Sequence, residues 1–188
     1  KDDAADFVGL MDAQQADEVL QLLPDHHREE ITSLLQYAQD TAGGIMNPYV
    51  ISVQKEQSVE EAIRSIRQYI ELQNSMQPFY TVYVVDEFQH LIGTVAVTQL
   101  LLAKRQTLIS EMMNPDVIAV DVDLDQEEVV QIAKEYDLVV VPVIDKYLRS
   151  IGRITIDDSV DVIYEEHQED VAQISGTAKE EVLEVSLI

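Results

Sequence analysis

Between residues 4 and 42 apolar side chains return every three or four positions: Phe7, Leu10 and Met11, then Val19, Leu20, Leu22 and Leu23, then Ile31, Leu34 and Leu35. An α-helix turns once in about 3.6 residues, so this spacing lays each group on one stripe of a short helix. Asp12, and Pro24 with Asp25, stand where the second and third helices begin. An aspartate oxygen accepts from the orphan N–H groups of a first turn, and proline is tolerated there. Three short helices in a row predict an α-superhelical cap. Asp40-Thr41-Ala42-Gly43-Gly44 then breaks the pattern. A glycine pair ends a helix and permits close backbone approach, so a domain boundary is expected at this point.

Beyond the glycine pair the chain carries an internal repeat. Met46-Asn47-Pro48 recurs as Met113-Asn114-Pro115, Ser58-Val59-Glu60-Glu61 as Asp125-Gln126-Glu127-Glu128, Val84-Val85-Asp86 as Val143-Ile144-Asp145, and Gly93 as Gly152. Each copy predicts a strand (50–53; 117–120), a capped helix, a buried strand (81–85; 138–144), a turn with a second strand (92–97; 151–156), and a helix. The first copy is longer between helix and strand, through Gln73 to Pro78, which reads as a loop insertion.

After the second copy, 157–170 (DDSVDVIYEEHQED) has helical patterning with two unlike faces. Asp158, Asp161, Glu165 and Glu169 share one stripe, with Val160, Ile163, Tyr164 and Val171 roughly opposite. Two carboxylates about 5 Å apart at an effective dielectric near 20 repel by roughly 3 kcal/mol, a cost that a bound cation removes. A solvated acidic face is the structural alternative.

Composition sharpens this picture. The 188 residues are 46% apolar, enough to bury a core in one large or two modest domains, but 36 acidic side chains face only 12 basic ones. A net charge of −24 repels nucleic acid and anionic membrane surfaces and attracts cations or basic partners. With no cysteine there are no disulfides or thiolate metal sites, and the cytosol is the expected compartment. The longest apolar run, Leu138 to Ile144, is far short of a membrane span. The opening at Lys1, without methionine, suggests a piece of a longer chain. Nothing points to catalysis: His26, His27, His90 and His167 are dispersed, and neither a phosphate-cradling glycine loop nor a nucleophile elbow occurs.

The duplicated β-α-β-β-α order, with Asn-Pro opening each copy and Gly-Arg-Ile-Thr-Ile-Asp-Asp closing the second, resembles a tandem pair of CBS domains. The DTAGGIMNP junction after a helical leader, the DQEEVVQIAKEYD segment and the acidic exit stretch together resemble the cytosolic part of MgtE-type magnesium transporters. The resemblance implies a mixed α+β and α/β architecture. Residues 1–42 would form the helical N-type domain, 43–106 and 107–165 the CBS units, and 158–175 an acidic connecting helix overlapping the second, with 176–188 unassigned. It also implies a homodimer through the CBS faces, an exit helix leading to membrane helices of the same polypeptide, and a place at the cytoplasmic face of the membrane.

Mg²⁺ takes oxygen ligands and keeps several waters, which suits scattered carboxylates. The resemblance implies that Asp125, Glu127, Asp137, Asp158, Asp161, Glu166, Glu169 and Asp170 bind it, joined on the helical side by Asp3, with Asp2 beside it, and the Gly44 carbonyl. Taken singly, some have structural readings. Asp125 suits an N-cap in a box with Glu128, Asp158 suits another cap, and Asp137 suits a helix end. CBS pairs also bind adenosine nucleotides such as ATP or AMP, an aspartate at the start of the closing helix holding the ribose. Asp158 matches that aspartate in the second unit, whereas Gln99 stands in its place in the first and Ala96 replaces the equivalent of Thr155. The expected function is Mg²⁺-dependent closure of an attached pore. The alternatives are a nucleotide-sensing module and a purely structural dimerisation domain.

Overall fold

The computed structural model describes residues 2–9, 11–73 and 78–155. Three helices open it: α1 (Asp2–Gly9), α2 (Ala13–Leu22) and α3 (Asp25–Leu34). Asp12 caps α2 as its position predicts, its Oδ1 accepting the Gln15 N–H at 2.9 Å, and Pro24 stands immediately before α3. The buried stripe differs from the expected one. Ala5 and Val8 face inward with Ile31 and Leu34, while Phe7 is 64% exposed. Positions 5 and 8 lie three apart on the α1 face that meets α3, and the intervening Phe7 is turned outward.

A short α4 (Ala42–Ile45) leads into β1 (Ser52–Gln54), α5 (Val59–Gln73), β2 (Thr81–Val85), β3 (Leu91–Ala96) and α6 (Val97–Leu102). The second copy follows α7 (Ile109–Met112) with β4 (Val120–Asp121), α8 (Gln126–Glu135), β5 (Val140–Ile144) and β6 (Ser150–Thr155). Each copy makes a three-stranded sheet whose central strand pairs parallel with the first strand and antiparallel with the third. Part of the extra length in the first copy is helix: α5 runs 15 residues against 10 in α8. Both helices start at the predicted caps. Ser58 and Glu61 form a reciprocal box, the Glu61 carboxylate accepting from the Ser58 N–H at 2.8 Å and hydroxyl at 2.7 Å. Among the described residues no helix is long and apolar enough to cross a membrane.

The two copies interlock. Asn47, ahead of the first sheet, pairs with Arg153 of the second, and Asn114, ahead of the second sheet, pairs with Thr94 of the first. Met46 correspondingly packs on Gly152 and Met113 on Gly93, which accounts for the recurrence of both residue types. In each Asn-Pro segment the asparagine Oδ1 accepts a backbone N–H two residues on, from Tyr49 and from Asp116. The β-hairpin tips also meet, the Leu91 N–H donating to the Leu148 carbonyl at 2.9 Å.

One core contains Tyr49, Ile51, Val53, Val59, Val82, Val84 and Val95 of the first copy. The other joins Ala5, Val8, Ile31 and Leu34 of the helical domain to Val122, Val129, Val141, Val143 and Ile154. The helical domain thus shares its core with the second copy, although the first copy is its neighbour in the chain.

Candidate metal centre and inter-unit cleft

The junction after the helical domain is clasped to the start of α8. The Ala42 N–H donates to the Leu124 carbonyl at 2.7 Å, the Gly43 N–H to the Val122 carbonyl at 2.8 Å, and the Gln126 N–H to the Asp40 carbonyl at 2.9 Å. Thr41 pairs with Asp125 in an antiparallel bridge and caps α4 from the other side. This approach requires glycine at position 43. A Cβ there would lie 2.6 Å from the Tyr37 ring and 2.8 Å from a Val122 methyl.

Of the predicted ligands, Gly44 follows directly on the bonded Gly43 and Asp125 stands opposite Thr41 in the bridge. Gly44 is buried in α4. Asp125 caps α8, its exposed carboxylate accepting the Glu127 N–H at 2.8 Å through Oδ1. The backbone N–H groups at this helix start favour anionic side chains. Burial raises the Tyr37 phenol above its usual pKa, and the charges of Asp145 and Asp123 raise it further. Sequence reasoning missed Asp40 and Asp123. The alternation Asp121, Asp123, Asp125 is visible along the chain, but its position against Asp40 arises only from the clasp.

Asp137 lies beyond the other end of α8, in the left-handed region at φ 51°, a conformation aspartate tolerates better than most residues. The ten-residue helix separates it from Asp125 by about 15 Å at about 1.5 Å rise per residue. One ion cannot bind both carboxylates, so the predicted set divides into at least two places. Among the described residues no three acidic or histidine side chains come together in a metal-binding arrangement. Asp3 falls within α1, the helix that packs on α3 and α4. Asp158, Asp161, Glu166, Glu169 and Asp170 lie outside the described residues.

Asp137 instead borders a cleft between the copies, about 250 Å³ in volume, with Tyr80, Tyr83, Thr94, Asn114 and Pro142 also on its walls. Burial pushes the Tyr83 phenol up to about 12, partly offset by the charge of Arg153. In the first copy Gln99, at the position of Asp158, caps α6, its side-chain oxygen accepting the Ala96 N–H at 3.1 Å.

This architecture, two interlocked copies of a three-stranded sheet and its helices with a cleft between them, defines a CBS pair. The chain belongs to the CBS-domain family, whose model matches residues 42–105 and 109–163, and the model for the MgtE intracellular N domain matches residues 1–40. The combination is that of the cytosolic region of MgtE-type magnesium transporters. The chain is 36% identical over 176 residues to the magnesium transporter MgtE of Thermus thermophilus, covering 94% of this chain and 36% of that protein. It is 37% identical over 155 residues to the magnesium transporter MgtE of Enterococcus faecalis, covering 82% of this chain and 34% of that protein. It therefore spans about a third of the length of these relatives. A solved structure of the cytosolic domain of the Mg²⁺ channel MgtE in complex with ATP superposes with a TM-score of 0.77 at 36% identity, over 86% of this chain and 65% of that one.

Proposed function

We propose that this region senses Mg²⁺ and regulates a magnesium-transporting membrane domain of the same polypeptide at the cytoplasmic face, as a homodimer through its CBS faces. The observation that carries the reading is the clasp between the glycine junction and the start of α8, which ties the end of the helical domain to the acidic helix start capped by Asp125. At low Mg²⁺, carboxylates repel across that seam in a chain of net charge −24. Bound Mg²⁺ neutralises them and, through retained waters, bridges ligands that do not touch each other. Asp125, Glu127 and the Gly44 carbonyl serve one place and Asp137 another. Asp3 from the helical domain and the acidic stretch with Asp158, Asp161, Glu166, Glu169 and Asp170 complete the set. Because the ion prefers the closed arrangement, its concentration sets the populations.

Thermal melts of the 188-residue chain test this. MgCl₂ at about a hundred times Kd stabilises the closed form by about 2.7 kcal/mol, beyond NaCl at matched ionic strength. Asp125→Asn keeps the cap but loses a charge, and should shrink the Mg²⁺ increment while leaving the ion-free melt nearly in place. Equal stabilisation by the two salts would reject specific binding.

A second reading, adenosine-nucleotide binding, is favoured by the cleft of about 250 Å³ between the copies and by the ATP complex of the similar domain. The Gln99 side-chain oxygen is occupied in capping α6, and Gln99 is not among the described residues that line this cleft. On this reading ATP raises the melting temperature of the chain and leaves the Mg²⁺ increment in place, and a melt indifferent to ATP would reject it.

A further inference from the structure

The interlock repeats one backbone contact in both copies, but what surrounds it differs. Thr94 in β3 exchanges both backbone hydrogen bonds with Asn114, at 2.9 and 2.8 Å, and Arg153 in β6 does the same with Asn47, at 2.9 and 2.8 Å. In register Thr94 and Arg153 are therefore counterparts, as are Asp116 and Tyr49, each two residues after its asparagine, and Asp137 and Pro78, each three residues before its central strand. Around Thr94 the cleft is open and includes Asp116 and Asp137. Around Arg153 the corresponding space holds a side chain. Arg153 is 7% exposed, and its Nη2 donates to the Pro78 carbonyl at 3.0 Å. Its guanidinium lies 5.7 Å from the centroid of the Tyr49 ring, within reach of a cation–π contact.

The fit leaves polar atoms unmatched: among the described residues the Arg153 Nε and the Tyr49 hydroxyl are buried without a hydrogen-bond partner. Burying them unpaired opposes stability, so hydrogen bonding alone does not account for an arginine here. What the side chain accomplishes is occupancy, a flat cationic group laid over an aromatic ring in the space that the twin cleft leaves empty.

We infer that Arg153 is a built-in plug that closes one of the two clefts, so that each chain takes a planar, nucleotide-like ligand only at the cleft bordered by Thr94 and Asp137. The inference rests on the reading of that open cleft as a nucleotide site. Replacing the plug by the residue of the twin, Arg153→Thr, unblocks the second cleft. Arg153→Met fills the same space without charge and keeps it shut.

Calorimetry with ATP on the full chain reads the stoichiometry. The parent and Arg153→Met should each bind one equivalent, and Arg153→Thr two. A parent that binds two, or an Arg153→Thr that binds no more than the parent, overturns the plug. If the parent binds no ATP, the nucleotide reading of the open cleft fails; a gain of one equivalent in Arg153→Thr alone still supports the plug. Should that variant not fold, the parent decides by proton exchange. A plugged cleft shields the Arg153 Nε–H from water with and without ATP, and rapid exchange of that proton overturns the inference.

Discussion

Leu148 sits in the left-handed region at φ 59° in the turn between β5 and β6, and Gln89 does the same in the twin turn at φ 67°. Neither conformation comes free to an L-residue, which loses roughly 1–2 kcal/mol there. The aspartates that open these turns hold them in shape. Asp145 Oδ1 accepts the Tyr147 and Arg149 N–H groups at 2.9 and 3.0 Å, while Oδ2 takes both the Arg149 Nε at 2.8 Å and Nη2 at 2.6 Å. Burial alone would raise the Asp145 pKa, but these donors and the guanidinium outweigh it and hold the carboxyl below its usual range. The turn therefore survives its strain through one carboxylate. Because the Leu148 side chain is 56% exposed, Leu148→Gly relieves the strain at little cost in burial. After the roughly 0.5–1 kcal/mol that glycine adds in chain entropy, it should stabilise the fold by about 0.5–1 kcal/mol in urea titrations; a lower midpoint would show that the leucine packs.

At the scale of elements, the helix starts were the most legible features. Ser58 with Glu61, and Asp125 with the Glu127 N–H, cap where the residue types predict, because capping depends on side chains two or three positions apart. The central strands were legible for a similar reason: runs such as Thr81–Val85 are buried in place. Phe7 was not, since periodicity marks a candidate stripe while the partner helix decides which side of it is covered. The clasp between α4 and α8 belongs to this scale as well. A methyl group at Gly43 meets the Tyr37 ring and Val122, so Gly43→Ala should destabilise the chain by about 1–3 kcal/mol through overpacking. It should also weaken the Mg²⁺ increment, because the two sides of the seam separate. A variant that melts and titrates like the parent would remove the clasp from the mechanism.

For the molecule as a whole, 36 acidic against 12 basic side chains make self-repulsion a general term. Salt shortens its range to about 8–10 Å near physiological ionic strength, so NaCl should raise the melting temperature from low salt upward and then level off. Mg²⁺ should add a further increment on that plateau; a melting temperature indifferent to NaCl would mean that the charges are already too far apart to matter. By itself the sequence determined the helical leader, the duplicated strand–helix–strand–strand order, the caps and the acidic excess, because each depends on residue type and near-neighbour spacing. Only the tertiary structure decided which elements meet. Met46 packs on Gly152 rather than within its own copy, and the helical domain joins the core of the second copy rather than that of the first. Asp125 and Asp137 are parted by the length of α8, and Arg153 fills a cleft that Thr94 leaves open. Spacing along a chain reports which side chains seek burial or a partner, whereas the choice of partner is settled by how the two copies fit together across distances that no local pattern encodes.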